Sequence, residues 1–171
     1  NVRYFLQDVW RCIDAGLRGF LFYGEDLLYL FHQLRKAGDL PDNLVFKVSY
    51  TQGISNPVGA KLLEDLGADS VNPITDLTLP MLAAIRQVLT IPMDVVVASF
   101  EILGDLNRFW ETPEIVRVSS PTYLKQELQP NVENARQKVR YCEIIREIID
   151  QAEGELSLSA AEPEDLRIPE P

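Results

Sequence analysis

The chain has 171 residues, of which 46% are hydrophobic and 25% are charged, values that are ordinary for a globular protein with a buried core. These proportions exclude wholesale disorder and a collagen-like repeat, and no apolar run reaches the roughly 18 residues that a membrane-spanning helix needs. The formal net charge of −10 argues against a nucleic-acid-binding surface, which requires an excess of Lys and Arg. We therefore expect neither a nucleic-acid partner nor a membrane partner.

The first quarter of the sequence alternates helical patterns with short apolar runs. Apolar residues at helical spacing predict a helix over 2–15, and Gly16 follows it as a cap. The nearly continuous apolar run 19–23 predicts a strand that is covered on both faces. A second helix is predicted over 25–37 and a second strand over 44–49. This order is typical of βα repeats.

The alternation continues in the middle of the chain. A third helix is predicted over 56–66, because it begins with a capping Asn and a Pro that fits the first turn. A brief strand is predicted over 70–72. Thr75 or Asp76 is then expected to cap a fourth helix, which ends near Leu89.

The last part of the chain contains two more predicted strands and a long helix. The apolar run 93–98 predicts the fourth strand, and the run 115–118 predicts the fifth. Residues 100–111 between them fit either a short helix or a loop with a turn. An amphipathic helix is predicted over 131–151. The Glu-, Ser-, Ala- and Pro-rich tail 152–171 is expected to be flexible or to act as an acidic interaction segment.

These elements predict one α/β domain of βα repeats over 1–151 with a parallel sheet. The predicted strands begin about 22–26 residues apart, which fits a partial or partner-completed TIM-type (β/α)8 barrel or a small doubly wound open sheet. A complete barrel needs about 250 residues. A partial barrel has two unpaired edges, and such edges invite pairing with another molecule. We therefore expect a homo-oligomer or a partner that completes the barrel.

The two cysteines, Cys12 and Cys142, lie far apart in predicted helices. Two reduced, partly buried thiols are favoured over a disulfide or a reactive thiol, which suggests a cytoplasmic protein. The single histidine, His32, lies within a predicted helix, so neither a His-based triad nor a multi-His zinc site can form in one chain. We predict no metal site, and the sequence does not identify a cofactor.

Several segments carry a family resemblance, which extends over residues 10–125. They include the motif LLEDLGADSVN, and they occupy residues 42–49, 62–72, 75–79, 82–86, 91–97, 113–118 and 120–125. These segments resemble a branch of the collagenase-like bacterial peptidase family, the class of unknown-mechanism peptidases numbered 32. The resemblance implies a (β/α)8-type barrel, of which the strands in this chain are the later ones, and a hydrolase activity. The cysteine-rich segment that some members use for an iron–sulfur cluster is absent from this sequence.

Three charged residues interrupt the apolar runs of predicted strands: Lys47, Asp94 and Arg117. Charged side chains are seldom fully buried unless they are paired. If the three share the inward face of the sheet, they form a compensated cluster. That cluster is either a structural ion network or a pocket for an anionic or carboxylate-bearing ligand. Surface exposure is the remaining alternative.

Active sites of parallel α/β folds lie beyond the carboxyl ends of the strands. Polar residues at or near those ends are therefore the candidate site residues. We predict catalytic roles for Glu101 and Lys47, and substrate-binding roles for Asn72, Arg117, Ser49 and Ser119. In this interpretation Lys47 and Arg117 orient a substrate carboxylate, Asn72 donates a hydrogen bond to it, and Glu101 is the base. The substrate is a peptide or another small polar molecule.

Two other functions stay open at this point. The same fold could serve as a non-catalytic interaction or assembly module. The small number of strands and the acidic tail favour this function. It could also be a phosphate-handling barrel enzyme, because the loop 51–57 leads into a predicted helix amino terminus. Plain helix capping explains the residues of that loop equally well.

Overall fold

The computed structural model describes residues 2–99, 104–127, 130–154, 156–157 and 166–169. Helices and strands alternate along these ranges, with short 3₁₀ turns at Tyr50–Gln52 and Phe109–Glu111. The elements are α1 Val2–Asp14, β1 Gly19–Phe22, α2 Glu25–Ala37, β2 Val45–Val48, α3 Pro57–Asp65, β3 Ser70–Val71, α4 Leu79–Val88, β4 Met93–Ser99, α5 Thr112–Ser119, β5 Thr122–Glu127 and α6 Val132–Asp150.

The five strands form one parallel sheet in the order β1-β2-β3-β4-β5. Strand order follows chain order without a reversal, whereas a doubly wound sheet reverses at a switch point. The predicted α/β class with a parallel sheet is therefore confirmed, and the arrangement is that of a partial (β/α)8 barrel. The doubly wound alternative does not apply to the described strands.

The two faces of the sheet differ in chemistry. On the outer face, Phe22 of β1 and Phe46 of β2 pack with Phe31 of α2, and the ring centroid of Phe22 lies 5.3 Å from each of the other two. The helices cover this face with buried apolar side chains such as Ile85 of α4 and Ile115 of α5. The opposite, concave face carries polar residues, because successive strand side chains point to opposite sides.

Local capping signals in the sequence have their expected effects. Gly38 ends α2 in the left-handed conformation, with φ of 80°. Asn56 caps α3, since its Oδ1 accepts a hydrogen bond of 2.9 Å from the backbone N–H of Gly59. The loop 51–57 thus ends in an ordinary helix cap, which is the plainer of its two interpretations.

The predicted start of the fourth helix is wrong. Helix α4 begins at Leu79 after Thr78, and not after Thr75 or Asp76. A helix beginning at the earlier residues would place Pro80 beyond the first turn, where proline lacks the N–H that the helix needs. In the observed helix Pro80 lies in the first turn, where that N–H is not required.

The predicted fifth strand over 115–118 is also wrong. These residues belong to α5, whose start is marked by Pro113 and Glu114 in its first turn. Ile115 and Ser119, four residues apart, are both buried on one side of this helix. The β-branched content of the run favours a strand, but the helix-start signal and the amphipathic packing outweigh it. The fifth strand is instead β5, Thr122–Glu127.

Two further expectations concern the cysteines and membrane crossing. Cys12 and Cys142 are both free, as predicted, although Cys142 is exposed and not partly buried. Over the ranges given above, none of the helices has both the length and the apolar content needed to cross a bilayer.

Candidate functional site

An ion pair lies at the centre of the concave face. Lys47 of β2 reaches across β3 to Asp94 of β4, with 3.0 Å between Nζ and Oδ1. The Ser70 hydroxyl of β3 donates to Oδ2 of the same carboxylate. Lys47 and Ser70 are register partners, and the small Ser70 side chain leaves room for the lysine to cross. Both oxygens of this buried carboxylate therefore have partners.

Tyr123 of β5 forms the wall of this cluster. It is the register partner of Asp94, and Lys47 Nζ lies 3.8 Å from the centroid of its ring. Burial, together with the charge of Asp94, raises the pKa of the Tyr123 hydroxyl to about 12. The hydroxyl therefore stays protonated at neutral pH and donates to the backbone carbonyl of Leu166.

A cavity of about 610 Å³ opens on the concave face. Its polar lining contains three lysines, Lys47, Lys125 and Lys138, and a single carboxylate, Asp94. Lys47 is paired with Asp94 and Lys125 with Glu127, so Lys138 carries the remaining positive charge of this lining. The cavity therefore favours anionic ligands over cationic ones.

Asn72, immediately after β3, is buried in the wall of the same cavity. Its Nδ2 donates a hydrogen bond of 2.7 Å to the carbonyl of Val48, and this bond sets the orientation of the amide. Its Oδ1 is buried and has no hydrogen-bond partner among the described residues. A buried acceptor without a partner is costly, so this oxygen is suited to a ligand that brings an N–H or O–H group.

Polar side chains also converge at the carboxyl ends of the strands. Lys125 of β5 pairs with Glu127, with 2.6 Å between Nζ and Oε1, and its Nζ lies 5.7 Å from the ring centroid of Tyr50. Burial, followed by the charge of Glu127 and the proximity of Tyr23, raises the pKa of Tyr50. The Tyr50 hydroxyl is therefore protonated at neutral pH.

The predicted site residues divide into four groups. Lys47 and Asn72 line one cavity, together with Asp94. Ser49 is buried at the end of β2, where its Oγ accepts hydrogen bonds of 3.3 Å from the N–H and 3.0 Å from the hydroxyl of Thr51. This arrangement makes Ser49 a cap of the following 3₁₀ turn. Glu101 lies outside the described residues.

Arg117 and Ser119 are not brought to the cavity, because the segment that carries them is a helix and not a strand. Arg117 pairs with Glu114 and donates to the carbonyl of Glu153. Ser119 Oγ donates to the carbonyl of Ile115 within α5. The predicted cluster of Lys47, Asp94 and Arg117 is thus correct for the first two residues and wrong for the third.

Sequence reasoning missed Ser70, Tyr123 and Lys125. Ser70 lies two residues before Asn72, a spacing that places both on one face of a strand. Tyr123 and Lys125 alternate with apolar or smaller residues after Pro121, which is the pattern of a strand. The assignment of the fifth strand to 115–118 hid that signal.

In the parts of the chain that the structure describes, no three His, Cys, Asp or Glu side chains lie close enough together to hold a metal ion. Asp94, the carboxylate in the cavity, is already engaged by Lys47 and Ser70.

Comparison with known proteins gives structural similarity only. No family model matches the sequence, and no curated protein matches it. The YdjI aldolase from Escherichia coli K12 aligns over 84% of this chain and 59% of its own, with a TM-score of 0.52 and 10% identity. At this identity the likeness shows the fold alone, and it supports the partial barrel.

Two further solved structures are similar at lower TM-scores. The U32 peptidase Mk0906 aligns over 56% of this chain and 36% of its own, with a TM-score of 0.44 and 20% identity. A nitroalkane oxidase from Streptomyces ansochromogenes aligns over 68% and 34%, with a TM-score of 0.42 and 16% identity. This chain thus spans between about a third and three fifths of the length of these structures.

Proposed function

We propose that this chain is part of a barrel-type hydrolase related to the collagenase-like bacterial peptidases, and that its concave cavity binds a peptide or another small carboxylate-bearing substrate. The observation that carries the proposal is the shared position of Lys47 and Asn72 in one cavity wall. The segments that resemble this peptidase family, 42–49 and 62–72 among them, contain both residues.

Lys47 and Asn72 are complementary to different groups on a ligand. The Lys47 ammonium has three N–H donors, of which Asp94 accepts one, and its side chain is 27% exposed, so it can also donate to a carboxylate. Asn72 was expected to donate to that carboxylate, but its Nδ2 is engaged by Val48 and its free atom is the acceptor Oδ1. A ligand with a carboxylate and a nearby N–H satisfies both residues, and the end of a peptide has both groups.

The chemical step is assigned to Glu101, which follows β4 by two residues. In this proposal its carboxylate takes a proton from the water that attacks the scissile carbonyl, and the resulting carboxylic acid gives that proton to the leaving nitrogen as the C–N bond breaks. Lys47 holds the substrate carboxylate and so fixes the position of the scissile bond. Glu101→Gln should abolish turnover while ligand binding is retained.

Calorimetric titration with a matched pair of ligands tests the binding step. Acetyl-Ala-Ala with a free carboxylate should bind at least about tenfold more tightly than its carboxamide, because a charge-assisted hydrogen bond is lost in the carboxamide. Lys47→Met should remove this preference. Lys36→Met, on the outer helix α2, is the matched control and should retain it. Equal affinities for acid and amide in the unchanged protein would contradict the proposal.

An assembly module is the second candidate function. Among the described strands, β1 and β5 each have one unpaired edge, and Leu21 on the concave face is 43% exposed. Unpaired parallel edges and exposed apolar surface on the sheet both favour association with a second copy of the chain. Light scattering after size exclusion should then give a multiple of 19.4 kDa, and a strictly monomeric chain would contradict this candidate.

A further inference from the structure

A short C-terminal segment, residues 166–169, crosses the concave face from one edge of the sheet to the other. At β5, the Tyr123 hydroxyl donates to the carbonyl of Leu166. At β1, Pro169 Cγ lies 3.4 Å from the position that a Cβ on Gly19 would occupy. Leu166, Ile168 and Pro169 are each half-buried, and Pro169 forms part of the cavity wall.

We infer that this C-terminal segment is a tethered occupant of the concave face, which covers the cavity and competes with its ligand. The inference rests on the proposed function for the identity of that ligand. Two contacts of the segment are those that a bound peptide makes: the main-chain carbonyl of Leu166 accepts from a side-chain donor, and the apolar Pro169 lies in the cavity wall.

The local sequence at both partners supports docking of a peptide here. Pro169 Cγ is at van der Waals distance, 3.4 Å, from the position that a Cβ on Gly19 would occupy, so a side chain that extends beyond Cβ would compete with the proline ring for space. The apolar side chains of Leu166, Ile168 and Pro169 match the apolar part of the cavity lining, which includes Phe20, Leu21 and Val45.

Covering of the cavity has a quantitative consequence for ligand affinity. A tether keeps the segment at a high effective concentration, so even weak contacts keep it docked. The apparent affinity of a free ligand is then reduced by the fraction of molecules in which the cavity is uncovered. Displacement of the segment should therefore strengthen ligand binding, and bound ligand should displace the segment.

Trypsin cleavage of the full chain tests docking without any ligand. Arg167 is exposed and is the only Lys or Arg after Arg146, so one cleavage reports on the segment. Tyr123→Phe removes the hydroxyl donor and keeps the ring, and Gly19→Val fills the space of Pro169. Each should accelerate cleavage after Arg167 by about fivefold, the factor that one typical hydrogen bond corresponds to. Tyr29→Phe on the outer helix α2 is the matched control and should leave the rate unchanged.

Acetylation of Lys47 with a small neutral reagent, followed by mass spectrometry, tests whether the segment covers the cavity. Faster acetylation in Gly19→Val and Tyr123→Phe than in the unchanged chain supports covering. Unchanged cleavage rates in both variants would overturn docking, and faster cleavage with unchanged Lys47 acetylation would overturn covering. Both measurements omit ligand, so a failure of acetyl-Ala-Ala to bind would refute the proposed function and leave this test intact. Where the ligand does bind, saturation should accelerate cleavage after Arg167 in the unchanged chain.

Discussion

Lys47 and Asp94 form an ion pair across an intervening strand, with 3.0 Å between Nζ and Oδ1. The carboxylate is buried, and its second oxygen accepts from the Ser70 hydroxyl, so its loss of hydration is offset by two polar contacts. The lysine is partly exposed to the cavity and lies over the Tyr123 ring. The pair therefore joins β2, β3 and β4 while leaving one cation available to a ligand.

Removal of the lysine should cost stability as well as ligand binding. Lys47→Met leaves the Asp94 carboxylate buried with Ser70 as its remaining partner. We expect a loss of about 2 kcal/mol in the free energy of unfolding, which is below the range of about 3–5 kcal/mol for fully buried pairs because Lys47 is partly exposed. Urea denaturation measures the loss. Adding Asp94→Asn should recover part of it, and a variant as stable as the unchanged protein would show that the pair contributes nothing to folding.

A second ion pair, Arg35 with Asp69, should be more important for stability than for function. Asp69 Oδ2 lies 2.6 Å from Arg35 Nη1 and accepts a hydrogen bond of 2.9 Å from the N–H of Phe46, while the Arg35 guanidinium lies 4.2 Å from the centroid of the Phe46 ring. Asp69→Ala leaves a buried N–H without its acceptor and a half-buried cation without its counter-ion. We therefore expect it to lower the free energy of unfolding by about 3 kcal/mol. Chemical denaturation should show this loss, with little change for Asp150→Ala in the exposed pair with Arg146. Equal effects of the two substitutions would contradict the prediction.

Gly67 and Gly53 provide a matched pair of substitutions. Both have positive φ, of 105° and 72°, so alanine is strained at either position. A Cβ on Gly67 would in addition overlap the ring of His32, whereas a Cβ on Gly53 meets nothing within 4 Å. We expect Gly53→Ala to lower the free energy of unfolding by about 1 kcal/mol. Gly67→Ala should lower it by about 1–3 kcal/mol more, and thermal unfolding measures both losses.

His32→Ala provides the control for this overlap. In the Gly67→Ala background it should recover part of the lost stability, since it removes the ring that the new methyl group meets. Absence of any recovery would show that backbone strain alone explains the effect.

The pH dependence of stability should contain a contribution from Glu64. Burial by itself raises the pKa of this carboxyl, but hydrogen bonds from Lys61 and Thr90 outweigh burial and lower the pKa below its ordinary value of 4.5. The unfolded chain therefore binds the proton more readily than the folded chain does. The contribution is present above about pH 4.5 and is lost as pH falls through the lower folded pKa.

Glu64→Gln measures this contribution. The variant should be less stable than the unchanged protein at pH 6, because the amide can still accept from the N–H groups of Thr90 and Ile91 but loses the charge and the Oε2 acceptor, which lies 2.6 Å from Lys61 Nζ. The difference in the free energy of unfolding should shrink towards pH 3. A difference that does not change with pH would contradict the assigned shift.

Part of the candidate site could be predicted from local spacing. Side chains alternate between the two faces of a strand, so the positions of Lys47 and Asp94 within their apolar runs implied a shared face. Alternation cannot show which other strands contribute to that face. Tyr123 is the register partner of Asp94, and this relation depends on where β5 lies in the sheet.

The repeating parallel βα architecture could be predicted from local sequence, because the spacing of apolar residues, the glycines that end helices and caps such as Asn56 act over a few residues. Packing in three dimensions was needed to show that 115–118 is helical, that Arg117 lies away from Lys47, and that the Asn72 oxygen has no partner among the residues that the structure describes. A run of β-branched residues can form a helix or a strand, and its packing against the rest of the fold determines which of the two it forms. The crossing of the concave face by 166–169 likewise depends on contacts with β1 and β5, more than forty residues away in sequence, which no local pattern encodes.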